Sequence, residues 1–462
     1  MEQRPYFAYA FYDLHRWRIL FLLPLVRVGA SLLQGGTPQL YRYELLLTLL
    51  LISYAGMKWY CCRYRLSTAA NGQFCTVGVR QGIIVRRTLH VSADEAASVE
   101  VERTPLLWLF RGRRVLVSTA GLRRRADAKL YVSAKQARRL FPLEQRQLDY
   151  RAPRWPIIVL SLTGSNAAVG LLTIAPMLRQ GGTVLGEQVA QGVIGLVDGW
   201  ITPELPLALR AAGNVLLIGW GVSAVRIFLR YVGFRAHRSE SHIHVSSGLF
   251  THRDVFIDRD KITALELRQT LTMRLFSLYT AVVTAAGYGR DLGTRPVLIP
   301  AAHSRELGAS LERLLPEFPV GDCRLRPARG SVWRYIGLPL LFLLCDVGLW
   351  LLGRWWHGAA VVGLTVGLWW LLVRLLGFGQ AGFGYDNGCF TMYYSRGLAL
   401  YRVYLPQEVT DCVVVTRSCL QRRQGTCSVK VRCFGEKKRT HRVWGLPYDG
   451  VLRELERWKA KK

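Results

Sequence analysis

Six apolar stretches punctuate the chain: Trp17–Leu33, Leu45–Trp59, Trp155–Met177, Ala208–Tyr231, Val332–Leu352 and Gly358–Leu376. Crossing ~30 Å of hydrocarbon takes about 20 helical residues, so each is a candidate span, the second borrowing flanking residues. They fall into pairs joined by Gln34–Glu44, Arg179–Leu207 and Gly353–His357. In the middle connection Leu185, Val189, Val193, Leu196, Val197 and Trp200 recur at helical spacing, interrupted by Gly186, Gly192 and Gly195. That segment reads either as a helix lying on the outer surface or as a plain loop.

Between the pairs the period changes. In Gly248–Gln269, Val255 and Ile257 alternate with polar neighbours, Asp258-Arg259-Asp260-Lys261 interrupts, and Ile262, Leu265 and Leu267 resume. This predicts an antiparallel hairpin with one face on a core and one in water. Sliding the chain by 166 residues lays Gly82–Gly121 on Gly248–Gly287 without a gap, with ten of the forty positions identical. Among them, Arg87, Glu100, Leu109-Phe110 and Gly121 meet Arg253, Glu266, Leu275-Phe276 and Gly287. A looser third copy is expected from Gly388-Cys389-Phe390, with an insertion around Tyr394–Arg402 and a resumption at Leu405–Val409. Each copy closes on a helical pattern: Ser133–Phe141, Ser304–Phe318 and Gly450–Lys459, the last with Asp449 as N-cap. The unit is two spans, several strands and a helix, three times over.

The motif Gly248, Phe250, Arg253, Ile257, Lys261-Ile262, Gln269, Arg274-Leu275-Phe276, Thr280 and Thr284–Gly287 resembles the bacterial pleckstrin-homology (PH) domain family, in its membrane-associated, YdbT-like type. The resemblance covers essentially the whole chain. Departures are Ser277 where the family carries glycine, Glu95-Ala96 for the Lys-Ile pair in the first copy, and Gln421-Arg422-Arg423 near the place of the third Arg-Leu-Phe. It implies that each copy is a seven-stranded, partly open antiparallel barrel capped by its helix, and that the motif residues pack domains together. The expected fold is a mixed membrane protein: six transmembrane helices in three hairpins, plus three cytoplasmic PH-like β-barrel or sandwich domains. Its segments are a leader and hairpin (1–59), a PH-like domain (60–154), a hairpin with a longer outer loop (155–231), a second domain (232–331), a third hairpin (332–376) and a third domain (377–462).

Charge sets the orientation. The chain has 62 Lys+Arg against 31 Asp+Glu, a formal net charge of +31. Arg63, Arg65, Arg151, Arg154, Arg230, Arg235, Arg326, Arg329, Arg334 and Arg374 flank the three large segments, whereas the connections within pairs carry only Arg42, Arg179 and Arg354. By the positive-inside rule the large segments and both termini face the cytoplasm of a bacterial plasma membrane. Met1–Arg16 reads as an amphipathic leader, with no small-residue cleavage site after the first apolar run. Trp155, Trp333, Trp355 and Trp356 sit at span ends, where aromatic belts belong.

Candidate chemistry is sparse. No G-x-S-x-G, H-E-x-x-H or Walker motif occurs, nor a glycine-rich dinucleotide turn leading from strand to helix, so an enzyme and a bound cofactor are not expected. The ten cysteines form no C-x-x-C pair and read as reduced, mostly buried thiols. His242 and His244 share one strand face, and Asp258 and Asp260 read as turn residues bonding local amides. Arg27 and Arg226 lie inside apolar stretches, where a charge marks either a pathway or a snorkelling side chain. The candidate anionic-lipid contacts are Arg111, Arg113, Arg114, Arg123, Arg124 and Arg125 in the first domain and Lys437, Lys438 and Arg439 in the third. Those arginines equally serve topology. Stacking aromatics interleaved with the charge are not evident, so nucleic acid is not an expected partner.

The expected function is a non-enzymatic scaffold at the inner leaflet, with envelope homeostasis or stress tolerance as the setting the resemblance implies. Its expected partners are the lipid bilayer, anionic headgroups, and a smaller PH-domain membrane protein or a second copy. The alternative is a transporter or lipid-handling protein with a pathway through the six helices.

Overall fold

The computed structural model describes residues 3–7, 42–68, 74–83, 86–119, 128–140, 149–164, 207–285, 297–319, 321–353, 357–433 and 439–460. Trp17–Leu33, Arg27, the Leu185–Trp200 pattern, Arg123–Arg125, Gly287, Trp355, Trp356, Lys437 and Lys438 lie outside these residues.

Helix α1 (Arg42–Cys61) leads into β1 (Arg63–Thr68), β2 (Phe74–Gln81) and β3 (Arg87–Ser92). There follow β4 (Ala96–Arg103), a short helix α2 (Pro105–Leu109), β5 (Gly112–Thr119), β6 (Ala128–Ser133) and a closing helix α3 (Ala134–Leu140). After β7 (Tyr150–Arg151), α4 (Arg154–Gly164) and α5 (Leu207–Tyr231) comes a second set. It comprises β8 (Arg235–Arg238), β9 (His242–Ser247), β10 (His252–Asp258), β11 (Ile262–Thr270), α6 (Leu271–Leu275), β12 (Leu278–Ala285), β13 (Val297–His303) and α7 (Ser304–Leu314). Helices α8 (Trp333–Leu351) and α9 (His357–Gln380) precede the third set. That set comprises β14 (Gly382–Asp386), β15 (Cys389–Arg396), β16 (Ala399–Pro406), β17 (Thr410–Thr416), α10 (Cys419–Arg423), β18 (Thr426–Cys433), β19 (Arg439–Pro447) and α11 (Tyr448–Ala460).

Among the described residues the strands do not close into seven-stranded barrels. They form four antiparallel sheets with the orders β1-β2-β3, β6-β5-β4-β10-β9-β8-β7, β13-β12-β11-β16-β15-β14 and β17-β18-β19. Each set divides into two three-stranded halves, and the second half of one set pairs edge to edge with the first half of the next. The seams are β4·β10, where Glu102 faces Arg253, and β11·β16, where Gln269 faces Leu400. An unpaired edge leaves a row of backbone donors and acceptors, and the neighbouring set satisfies them.

Period 2 then places two cores on opposite faces of one sheet. Val99, Val101, Val115 and Val117 face the first set's core, against which Phe256 of the second set also packs. On the other face Val245, Val255 and Ile257 join the second set's core with Leu265, Leu267 and Tyr404. Ile257 and Ile262 are buried there.

Two expectations shift by one hairpin or one turn. Gly388 lies in the β14–β15 turn, so the counterpart of Gly248, which precedes β10, is Gly397, which precedes β16. The insertion expected around Tyr394–Arg402 therefore disappears into regular β15 and β16. Helix α11 begins at Tyr448, so Asp449 is a first-turn acid rather than an N-cap, where its charge still complements the helix dipole.

Among the described residues, two helices are long and apolar enough to cross a membrane, Arg329–Leu351 and His357–Gln380. They pack closely: a Cβ added at Gly367 would meet Leu343 and Phe342, and one at Gly363 would meet the Asp346 carboxylate. Small residues allow such backbone approach between membrane helices.

Candidate functional site

The first set carries a basic groove of about 940 Å³ at the end of its second sheet. Its walls follow from local structure. β4 ends at Arg103, and Thr104 caps the next turn, its Oγ1 accepting from the Leu107 amide at 3.4 Å. Pro105 opens α2, where a missing N–H costs nothing. Arg111 then adopts φ 52°, a left-handed conformation that turns the chain into β5. The Ser133 hydroxyl accepts from the Gln136 amide at 3.3 Å and starts α3. Tyr6, from the N-terminal segment, donates its hydroxyl to the Phe110 carbonyl at 2.9 Å and roofs one side. Arg103, Arg111, Arg113, Lys135 and Arg138 thus converge, with Trp108 and Leu109 at the lip, and no carboxylate lines the groove among the described residues. Burial lowers the Arg113 guanidinium from its ordinary value, the neighbouring Arg103 and Arg138 charges add to this, and Asp254 partly offsets it. Arg113 stays charged, as arginine does in proteins, but crowded cations of one sign favour an entering anion.

Of the residues expected to contact lipid, Arg111 and Arg113 line this groove, together with Arg103, Lys135 and Arg138. Arg114 does not belong there. One residue along a strand reverses the face, and Arg114 instead pairs with the buried carboxylate of Glu102. Arg439 opens β19 opposite Cys433.

The seam between the first and second sets holds two polar networks. On one face Glu102 pairs with Arg114 and, at 3.0 Å, with Arg253, whose Nε lies 3.7 Å from Glu100. Burial raises the Glu100 carboxyl to about 7, and the Glu102 charge beside it adds to the rise. Glu102 goes the other way: burial would raise it, but Arg114 and Arg253 hold it below its usual range. On the opposite face Asp254 lies 3.5 Å from His244 and 3.4 Å from His252. Burial alone would raise Asp254, yet the hydrogen bonds and charges of His244 and His252 outweigh it and hold the carboxyl well below its usual range. The Asp254 hydrogen bond raises His252 against the opposing effect of burial. His242 and His244 pack on Phe256, His244 stacked at 4.6 Å. Lys261 reaches across to the carbonyls of Asp94, at 2.5 Å, and Ala96, at 3.1 Å.

The signs at this seam define a pH window. Glu100 and His252 have raised values in the folded state, so their stabilisation is full in acid and fades as pH rises through those values. Asp254 is lowered, so its contribution is lost only as pH falls below the ordinary carboxylate range. Amide protection of β4 and β10, corrected for intrinsic exchange, is expected to be higher at about pH 5 than at about pH 8. Glu100→Gln should flatten the part of that slope below neutrality. A slope of the opposite sign would contradict the assignment.

The remaining motif residues divide. Arg253, Ile257, Lys261 and Gln269 are inside or across the seams, Gln269 donating to the Leu278 carbonyl at 3.1 Å, and Ile262 is buried in the second set's core. Phe250, Leu275 and Phe276, expected to pack domains together, are exposed instead. The α6 tip closes a tight turn with its apolar side chains pointing outward, and Arg274 bonds to Gln380 at 3.3 Å. Ser277 has φ 53°, the same left-handed place as Arg111 and as Gly425 in the third set. This accounts for glycine as the favoured residue. Ser277→Gly is expected to stabilise the protein by about 1 kcal/mol, read as a rise in its thermal unfolding midpoint; no rise would mean that the turn is unstrained.

Edge-joined antiparallel sheets closed by helices, with two helices long and apolar enough to span a membrane, fit a PH-type membrane protein, and comparison with known sequences agrees. A family model, Bacterial PH domain, matches residues 19–147 and 191–315, more than half of the chain. The chain belongs to this family. It is similar to the transmembrane protein YdbT of Bacillus subtilis (strain 168), at 21% identity over 334 residues, covering 64% of this chain and 64% of that protein. The match thus spans less than two thirds of the relative's length. No solved structure matches the chain. This is a membrane protein with bacterial PH domains.

Proposed function

We propose that the protein is a non-enzymatic, multi-span scaffold of the bacterial plasma membrane, built from three copies of a hairpin-plus-PH-like unit. Its domains face the cytoplasm and its first domain takes phosphate-bearing headgroups of the inner leaflet into the basic groove. The observation that carries this reading is the convergence of Arg103, Arg111, Arg113, Lys135 and Arg138 with no lining carboxylate among the described residues. The edge-joined sheets favour a scaffold, since they present the domains as one ordered array. Envelope homeostasis is the proposed setting, and a smaller family member or a second copy the proposed partner.

The test uses the full chain in neutral detergent, titrated with short-chain phosphatidylglycerol and, separately, phosphatidylcholine. Each cation near an anionic surface contributes about 1 kcal/mol, so Arg103→Gln with Arg138→Gln is expected to weaken phosphatidylglycerol binding by about 2 kcal/mol, roughly 30-fold. Equal affinity for both lipids, or unchanged affinity in the double variant, refutes the groove assignment.

A second reading, a pathway through the spans, is favoured by one residue. Arg226 is exposed on α5, whereas Asp346 is buried in α8 against Gly363. A buried carboxylate within a span marks an ion or proton route by default. Asp346→Asn should abolish any proton-coupled flux in proteoliposomes; an unaltered protein with no flux leaves the scaffold reading standing.

A further inference from the structure

We propose that the α6 tip, Leu275-Phe276, together with the Leu249-Phe250 turn, inserts into the headgroup–acyl boundary of the bilayer. This makes a second kind of membrane contact, apolar where the basic groove is electrostatic, and it does not depend on the groove.

Leu275 is 81% exposed and Phe250 63% exposed, although both are large apolar residues in turns that the surrounding backbone holds firmly. Those turns are fixed to the ends of α4 and α5. The Gly248 and Leu249 amides donate to the carbonyls of Val232 and Leu229, at 3.1 and 3.0 Å, at the end of α5. Phe276 meets Trp155, at the start of α4, edge to face with ring centres 6.5 Å apart.

The level is set by Arg274, whose Nη1 donates to Gln380 at 3.3 Å. Gln380 is the last residue of the span His357–Gln380. Its 24 residues rise about 36 Å, slightly more than the hydrocarbon thickness, so the end of the helix lies at the interface. A tip bonded to that residue lies at the same level. The third set repeats the relation with the other span: Arg334, near the start of Arg329–Leu351, donates to the Ser418 hydroxyl at 2.8 Å. Ser418 caps α10, the counterpart of α6, whose Leu420 is 69% exposed. An exposed apolar tip packed on a tryptophan, with an arginine bonded to the end of a candidate span, has the chemistry of the interface, where apolar groups sink and charged groups snorkel to phosphate.

The bilayer is thus the occupant, and a second copy or another protein is the rival. Full-length protein carrying p-benzoylphenylalanine at position 275, and separately at exposed position 312 of α7, is reconstituted in vesicles of phosphatidylethanolamine and phosphatidylglycerol and irradiated. The adducts are weighed. Lipid adducts at 275 are expected to exceed those at 312 on the order of tenfold and to persist in 1 M salt, because apolar burial is not screened. Lipid adducts no more frequent at 275 than at 312, or protein adducts dominating at 275, overturn the proposal. Adducts lost at high salt also overturn it, and would return the contact to the basic groove. Loss of the groove's salt-sensitive headgroup binding leaves this result untouched.

Discussion

Glu102→Ala is expected to cost about 3 kcal/mol at the seam between the first and second domains, because it removes the buried carboxylate shared by two partly buried guanidinium groups. Glu102 is 3% exposed, and it receives Arg114 from its own domain and Arg253 from the next. The loss is therefore both local and between domains. It is read by hydrogen exchange of the detergent-solubilised protein. Amides of β4 and β10 should lose protection by about 100-fold or more, while β18 and β19, which lie in a different sheet, keep theirs. Arg253→Ala should unprotect the same strands less, since Arg114 still balances Glu102. Protection of β4 and β10 that survives Glu102→Ala would show that backbone pairing alone joins the domains.

Much of this fold was legible in the sequence. Alternation in Val255–Ile257 and Leu265–Leu267 predicts strands because a half-buried strand has no other economical pattern. The match of Gly82–Gly121 to Gly248–Gly287 makes the first and second domains one unit, in agreement with the two segments of the family match. Closing helices were visible for the same reason of period. Edge pairing was not legible. β4 and β10 each alternate like any half-buried strand, and nothing in that alternation says which edge the next domain occupies. The shared sheet also explains why Glu100, Glu102 and Arg253 resisted reading as a group. They come from segments about 150 residues apart, and only the register Arg253↔Glu102 brings them together.

The groove was half legible. Arg111 and Arg113 stand out as a basic run, but Arg114, adjacent in sequence, faces the other side of β5. Arg103 and Arg138 join them from the end of β4 and from α3, which no local pattern links. The apolar tips were visible as a motif and expected to pack domains together; their exposure on this chain was not legible, because a family motif does not say what its side chains face. Asp346 was overlooked within an apolar run; only the approach of Gly363 reveals its burial.

Gly248→Val should cost about 3 kcal/mol and release the second domain from α5. Gly248 has φ +103°, a region that side chains avoid, and a Cβ there would collide with the Thr251 carbonyl oxygen, which belongs to rigid backbone. Its own amide bonds Val232, so the turn cannot rotate away without breaking the tie to the helix. Gly233→Ala is the control: φ is +71°, but the space around it is open, so the cost should be only about 1 kcal/mol. Thermal unfolding midpoints rank the two variants, and limited proteolysis between α5 and β10 reports the detachment. Equal midpoints would show that the Thr251 carbonyl yields, and that the glycine serves conformation alone. The larger loss at Gly248 would instead show that this turn must be both left-handed and close-packed, because it holds the second PH domain against the end of α5.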